Sequence, residues 1–600
     1  MRALRTAAIS AAAIMMIPAS TAIAQNVQPI EYTLDNGMKF LLMPRDEQPN
    51  IITAGWIAPV GSANERPGIT GVSHLLEHLL FKGTDSIGTS DAALDLDYRE
   101  QLTVIREQMR AYALDIQYKR MYAGEIENPW DPANDTDELR EMRAEMTRIQ
   151  DLQSEITIKN EFDSIYTGNG GSGMNAGTSN DFTIFYINVP SNKLELWAWM
   201  ESDRLMDPSF RELDSERFVV IEERRQRLEA TATGKLGEQF DSMFWVASPY
   251  NWPVIGWMSD LMAYTEDEIR EYFETYYQPA NLVGVIVGDF EVENAKQLID
   301  SYFGRIDNKR PKAAPLVTYS VPLLGEMRYS GECDCQDQVE VRYRSVPFGH
   351  PDEAVFDVMA DLLNGRTGRL YKALVEEQGI AAGAGASHRS QHYSGSFSFN
   401  ARPKGDAQLA ELEASWYLEL DRLKTEPVSD RELQKIKNQQ AADTFRGLQD
   451  NSSLFFQLAI TEGYGSYEYL NEQPKRIAAV TAEDIMRVAN EYLKADARAV
   501  ASYLRKGGTE EVMLTLDDVR ASLPEDMVAM VLPGIETGMA EIATATDMAE
   551  LQSQLEEMDA QKDMVPPQFQ TAMKFMKQQI QNRINQLEAG EDSTEQGGDQ

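Results

Sequence analysis

Two of the chain's five histidines stand four residues apart, in the segment Gly71-Val-Ser-His74-Leu-Leu-Glu77-His78-Leu-Leu-Phe-Lys-Gly83-Thr84. On a helix, positions i, i+3 and i+4 share one face, so His74, Glu77 and His78 point the same way. Two neutral imidazoles on one face can hold one metal ion, and among the available cations they suit zinc. A catalytic zinc takes three protein ligands and leaves one position open for water. The ion makes that water acidic, and a nearby carboxylate takes the proton. Glu77 stands where such a base is needed. The competing reading is a solvated His/Glu face. However, Leu75, Leu76, Leu79 and Leu80 predict a largely buried helix, and burying two imidazoles and a carboxylate without a metal is costly.

The elements around this segment are duplicated. Thr265-Glu-Asp-Glu-Ile269 opens a helical pattern through Tyr276 that leads into the apolar strand Leu282–Val287. Thr481-Ala-Glu-Asp-Ile485 repeats the order 216 residues later, through Tyr492 and into Ala499–Leu504. A threonine followed three residues on by an acid is a helix-start signature. Strands are predicted at Phe40–Met43, Ile51–Ile57 and Phe182–Val189, and helices at Val72–Phe81, Leu194–Met206 and Glu212–Leu228. Without a regular βαβ beat, the class is α+β: two homologous halves, each with a mostly antiparallel sheet and packed helices.

The first 24 residues carry Arg2 and Arg5, the apolar run Ala7–Ile17 and the small-residue site Ala22-Ile23-Ala24, the plan of a secretory signal. The expected layout is then a half bearing the metal motif over 25–306, a Pro- and Lys-rich linker over 307–317 and a second half over 318–506. A helical extension over 507–587 and a disordered acidic tail over 588–600 follow. Within the first half, apolar residues at steps of three and four across Asp91–Asn160 predict an inserted pair of helices folded back on itself at Asn128-Pro-Trp-Asp-Pro132. A similar stripe runs from Met548 to Leu587, around Pro566-Pro567.

Composition narrows the function. With 56 basic and 96 acidic residues the net charge is −40, the reverse of a nucleic-acid footprint. No stretch reaches 18 apolar residues, so no membrane span is expected. The expected product is an exported, soluble protein, with the periplasm as its compartment. Cys333 and Cys335, the only cysteines, are read as two structural or surface thiols rather than as a redox pair or half of a metal site.

H-x-x-E-H is the inverzincin signature, and here the sequence resembles the pitrilysin/insulinase family of zinc metallopeptidases, in particular exported bacterial members similar to mitochondrial processing peptidase. Phe81-Lys-Gly-Thr84, the Gly170–Thr183 segment and Ser248–Gly256 resemble further blocks of that family, and the resemblance covers roughly residues 30 to 505. It implies a third zinc ligand on a downstream helix, seven residues after another glutamate. Glu216-Arg-Phe-Val-Val-Ile-Glu-Glu223 matches, making Glu223 the ligand and Glu216 the residue that supports the set from behind. The resemblance also implies that Asn175 and Ala176 lie at a sheet edge where a peptide substrate adds as a strand. His78 to Glu223 is longer than the family's usual spacing, and the Asp91–Asn160 insertion accounts for the excess.

The second half lacks the metal set. Ala354–Leu363 falls where the motif would lie, without histidine, and Gln439 takes the place of Glu223. His350, His388 and His392 are read as loop or surface residues. Active relatives carry an Arg and a Tyr seven apart in this half, where the chain has Val375 and Ala382. The function the resemblance implies is zinc-dependent endopeptidase action on peptides or unfolded segments, with one zinc per chain and Glu77 as general base. The alternative is a non-catalytic or partner-dependent subunit of a heterodimer whose other chain supplies the Arg/Tyr pair.

Overall fold

The computed structural model describes residues 26–318, 321–506, 514–561, 565–566 and 569–588. The predicted export signal and the tail from residue 589 onward lie outside them. The chain forms two compact units, divided between Leu504 and Arg505.

In the first unit, strands β1 (Ile30–Thr33), β2 (Lys39–Pro44), β3 (Ile51–Ala58), β4 (Ser172–Thr178), β5 (Thr183–Pro190) and β6 (Val283–Gly288) form one sheet, in the order β1-β2-β6-β3-β5-β4. Only β2 and β6 run parallel. Strands β7 (Met327–Cys333), β8 (Gln338–Ser345), β9 (Ala381–Ser390), β10 (Gly395–Pro403) and β11 (Arg498–Arg505) form a second sheet, ordered β7-β11-β8-β10-β9. Setting β1 aside, the two orders coincide when strands are matched by position in the chain. The duplication read from the threonine-capped helices is thus a duplication of topology. Both of those helices, Glu266–Tyr276 and Ala482–Tyr492, start at their threonine: Glu268 accepts from the Thr265 amide at 3.1 Å, and Thr481 and Asp484 bond reciprocally in a capping box.

Each sheet packs one face on helices of its own half. Trp56, Leu75, Phe185, Trp197 and Ile269 share one core, and Val341, Phe356, Phe399, Trp416 and Ile485 another. Each sheet's other face is covered by the opposite half. The helix Asn451–Tyr464 lays Leu454, Phe455 and Leu458 on Leu41, Ile57, Val285 and Val287 of the first sheet. The helix Gly234–Phe244 packs Phe240 and Phe244 with Ala499, Ala501 and Tyr503 of the second. At Gly55 on β3 a Cβ would stand 2.7 Å from the Phe455 ring and 2.1 Å from the Phe185 carbonyl oxygen, so only glycine admits that helix.

The insertion forms helices Ala92–Tyr112 and Asp137–Ile156, packed together through Leu102, Ile105 and Ile149. In the second unit, helices Met548–Gln561 and Gln570–Glu588 follow the predicted stripe. Two further helices, Leu516–Ser522 and Glu525–Thr544, precede them. The longer of these carries Pro533 within it, a breaker that masks a helix in the sequence.

Four sequence readings are corrected. Cys333 and Cys335 are joined in a disulfide and are not thiols. His388 is neither a loop nor a surface residue: it sits on β9 with its side chain 1% exposed and Nδ1 2.8 Å from Asp357 Oδ1. Gln439 is exposed on the helix Asp430–Gly447, and its neighbour Gln440 is the one that reaches across, donating to Asp361 at 2.8 Å. The two site helices are also shorter than expected. One ends at Leu79, because the chain turns through Gly83 (φ +98°). The other runs Leu213–Arg224 and passes into a π-helical turn, Arg225–Glu229.

Candidate metal centre

The motif helix Val72–Leu79 buries Val72, Leu75, Leu76 and Leu79 and carries His74, Glu77 and His78. Its start is fixed by close backbone approach. A Cβ at Gly71 (φ +86°) would lie 2.6 Å from the Ile255 carbonyl oxygen, and one at Gly256 (φ +82°) 2.3 Å from that of Thr70. Ser248–Gly256 therefore crosses the helix N-terminus backbone to backbone. Glu65 accepts the first free amides, from Gly71 at 2.8 Å and Ser73 at 2.9 Å; these bonds favour its ionised form, but burial outweighs them and pushes the carboxyl up to about 8.

The glutamate helix, Leu213–Arg224, brings Glu223 Oε2 to 3.7 Å from His74 Nε2 and 3.5 Å from His78 Nε2. Ligand atoms of the three residues all lie within 4.8 Å of one another, and no other His, Cys, Asp or Glu group of three converges so among the described residues. A tetrahedral zinc with bonds of 2.0–2.2 Å needs donors about 3.3 Å apart. The two Glu223–histidine separations are a few tenths of an ångström wider and the two imidazoles stand within 4.8 Å of each other, so the donor set fits that ion after a small inward shift of the side chains.

Glu216, two turns before Glu223, faces His78 Nδ1 at 3.3 Å and is itself held by Lys82 Nζ at 2.6 Å. With Nδ1 donating to Glu216, Nε2 keeps its lone pair for a metal. His74 Nδ1 is buried without a hydrogen-bond partner. Burial drives the His74 imidazole down to about 3, leaving it neutral. Burial acts the same way on His78, but the Glu216 bond and the nearby carboxylates outweigh it and raise that group. Burial raises Glu77, opposed by Thr178, whose Oγ1 donates to Glu77 Oε2 at 2.6 Å. Glu222 points outward and pairs with Arg225, whereas Glu223 Oε1 is held by Arg227 at 2.9 Å.

Asn175 and Ala176 lie on β4, the edge strand of the first sheet, in register with Tyr186 and Phe185 of β5. Thr178 ends the same strand, so this edge leads directly to Glu77. A cavity of about 580 Å³ between the two halves is lined by Asn180, Leu228, Trp252, Arg342 and Arg389. Val375 lies on the π-helical turn Tyr371–Glu377, packed against the second core, and Ala382 is exposed on β9. Thr178, Lys82, Glu65 and Arg227 were not singled out from the sequence. Thr178 and Glu77 are 101 residues apart, and no periodicity links them.

Two topologically equivalent α+β halves, with one converged His/His/Glu set among the described residues, in the first half, define a two-half architecture with a candidate metal-ligand site. Residues 41–94 match the family described as Insulinase (Peptidase family M16), and residues 263–440 match the Peptidase M16 inactive domain. The zinc protease PqqE of Helicobacter pylori is 26% identical over 487 residues, 79% of this chain and 92% of that protein. An uncharacterized zinc protease of Bacillus subtilis, YmxG, is 22% identical over 472 residues, 78% of this chain and 96% of that one. The crystal structure of a protease from Helicobacter pylori superposes with a TM-score of 0.64 at 24% identity, covering 80% of this chain and 99% of that one. The periplasmic protease PqqL of Escherichia coli gives 0.59 at 16% identity, over 84% of this chain and 50% of that one. The chain carries peptidase M16 (insulinase/pitrilysin) family domains over residues 41–94 and 263–440.

Proposed function

We propose that the protein is a zinc-dependent endopeptidase of the periplasm that cleaves peptides or unfolded segments. The reading rests on the converged ligand atoms of His74, His78 and Glu223 beside the half-buried Glu77. These three side chains would hold one zinc ion. When bound, the ion supplies Lewis acidity, polarising an oxygen set against it and making water there more acidic. Glu77 takes the proton and delivers it to the leaving amine. Thr178 favours the ionised form of Glu77 by donating to it, against the burial that raises it, and Glu216 fixes the tautomer of His78. Main-chain groups of β4 around Asn175 and Ala176 pair with the substrate as an added strand. The deciding experiment is peptide hydrolysis and metal content of Glu77→Gln against the parent chain. Zinc retained with hydrolysis lost supports the scheme. Zinc lost would make Glu77 a ligand and overturn the assignment.

One observation favours a second reading, a partner-dependent subunit. Val375 and Ala382 offer no hydrogen-bonding side chain where active relatives place Arg and Tyr, and a heterodimer partner would then supply them.

A further inference from the structure

The glutamate helix has two working faces. Glu216, Val220 and Glu223, at steps of four and three, share the face toward the motif helix, while Asp214, Arg217 and Phe218 lie on the opposite side. That opposite side is gripped by the insertion. Asp214 Oδ2 accepts from Arg106 at 3.1 Å (Nε) and 2.8 Å (Nη2), and from Gln150 Nε2 at 2.7 Å. Arg106 and Gln150 come from different helices of the hairpin, so both converge on one carboxylate.

A second junction lies just before the helix. Asp95, on the first hairpin helix, is fully buried and accepts from Arg211 at 2.9 Å (Nε) and 2.8 Å (Nη2). It also accepts from Arg99 Nε and Gln153 Nε2, each at 3.0 Å. Arg211 donates onward to the carbonyls of Lys82 at 3.0 Å, Thr84 at 3.2 Å and Ile87 at 3.2 Å, the turns through which the chain leaves the motif helix. Lys82 in turn holds Glu216. Residues of the insertion thus meet both the exit of the helix bearing the histidines and the entry of the helix bearing the glutamates. A buried charge network of this kind is tolerated only with its partners in place.

From this geometry we propose that the hairpin is a splint, with Arg106 (through Asp214) and Asp95 (through Arg211) as positioning residues that set Glu223 against His74 and His78. The proposal rests on the metal-site reading above. Groups that orient ligands from behind change metal affinity by about 10–100-fold. The test uses the full chain, with zinc affinity measured by competition with a chromophoric chelator and thermal midpoint measured on the metal-free form. Arg106→Gln, the milder variant because its pair is not fully buried, should retain the fold and bind zinc about tenfold more weakly, with kcat reduced and KM little moved. Arg106→Lys should recover part of the affinity. Asp214→Asn combined with Arg106→Gln should be no worse than additive, and closer to the single variants. Arg328→Gln, which breaks the Arg328–Glu413 pair of the second half, should lower the midpoint and leave zinc affinity unmoved. Arg106→Gln with a lowered midpoint and zinc affinity within twofold of the parent would reduce the hairpin to packing and overturn the proposal. Glu223→Gln is run alongside: if it binds zinc as the parent does, the metal-site reading has failed, not the splint.

Discussion

Thr178 Oγ1 donates to Glu77 Oε2 at 2.6 Å, joining the last residue of the sheet edge to the glutamate of the H-x-x-E-H segment, the proposed base. The bond favours the ionised carboxylate, against a burial that raises it. Thr178→Val should raise Glu77 further. A base works deprotonated, so the acid limb of the kcat/KM profile should move to higher pH, with activity recovering toward alkaline pH. An unmoved limb would show that Glu77 does not set it.

Ligand and base should separate cleanly. His74→Ala and Glu223→Gln should each lose stoichiometric zinc, since a site of three protein ligands does not hold with two. Glu77→Gln should keep the metal and lose about 10²–10⁴ in turnover. Metal analysis of the purified variants decides it.

His78 should carry the pH dependence of the metal-free site. Its folded value is raised above the ordinary histidine value of about 6.5. The His78–Glu216 contribution to stability is therefore whole below about pH 6.5 and lost as pH rises through the raised value. Zinc needs the neutral ring, so protons compete with it on the acid side, whereas His74, already neutral down to about 3, does not contribute. In a proton NMR titration of the metal-free chain, Glu216→Gln should bring His78 down. An unchanged value would remove Glu216 from that role.

The crossed helix should matter as much as either half's own core. Phe455 is fully buried against the first sheet, though it belongs to the second half. Phe455→Ala should cost about 3–5 kcal/mol, read as a lower urea midpoint with zinc binding to the residual native protein unchanged.

If a partner supplies the missing Arg and Tyr, the isolated chain should be slow, since a lost donor to developing charge costs about 10²–10³ in rate. Adding a family chain that bears the pair but lacks H-x-x-E-H should restore turnover. Robust zinc-dependent turnover by this chain alone would show that it needs no partner.

Much of the site was legible because it is local. His74, Glu77 and His78 lie within five residues on one helix face, and helical geometry alone brings them together. Glu216 and Glu223 share a face two turns apart on one helix, but it was the family resemblance that singled them out. The helix starts at Thr265 and Thr481, the strands at β2, β3 and β5 and the helical insertion follow from periodicities of two and 3.6 and from capping chemistry. Only the tertiary structure decided what crosses the chain. It set the distance from Glu223 to His74 and His78, the bond from Thr178 to Glu77, the burial of His388 on a strand, and the exchange of Asn451–Tyr464 and Gly234–Phe244 between sheets. It also showed that the hairpin grips Asp214 and Arg211 rather than standing clear of the site. A side chain's face is fixed by the repeat of its own element, but its partner is fixed by where the other elements pack, and a contact across 100 residues or more leaves no period in the sequence.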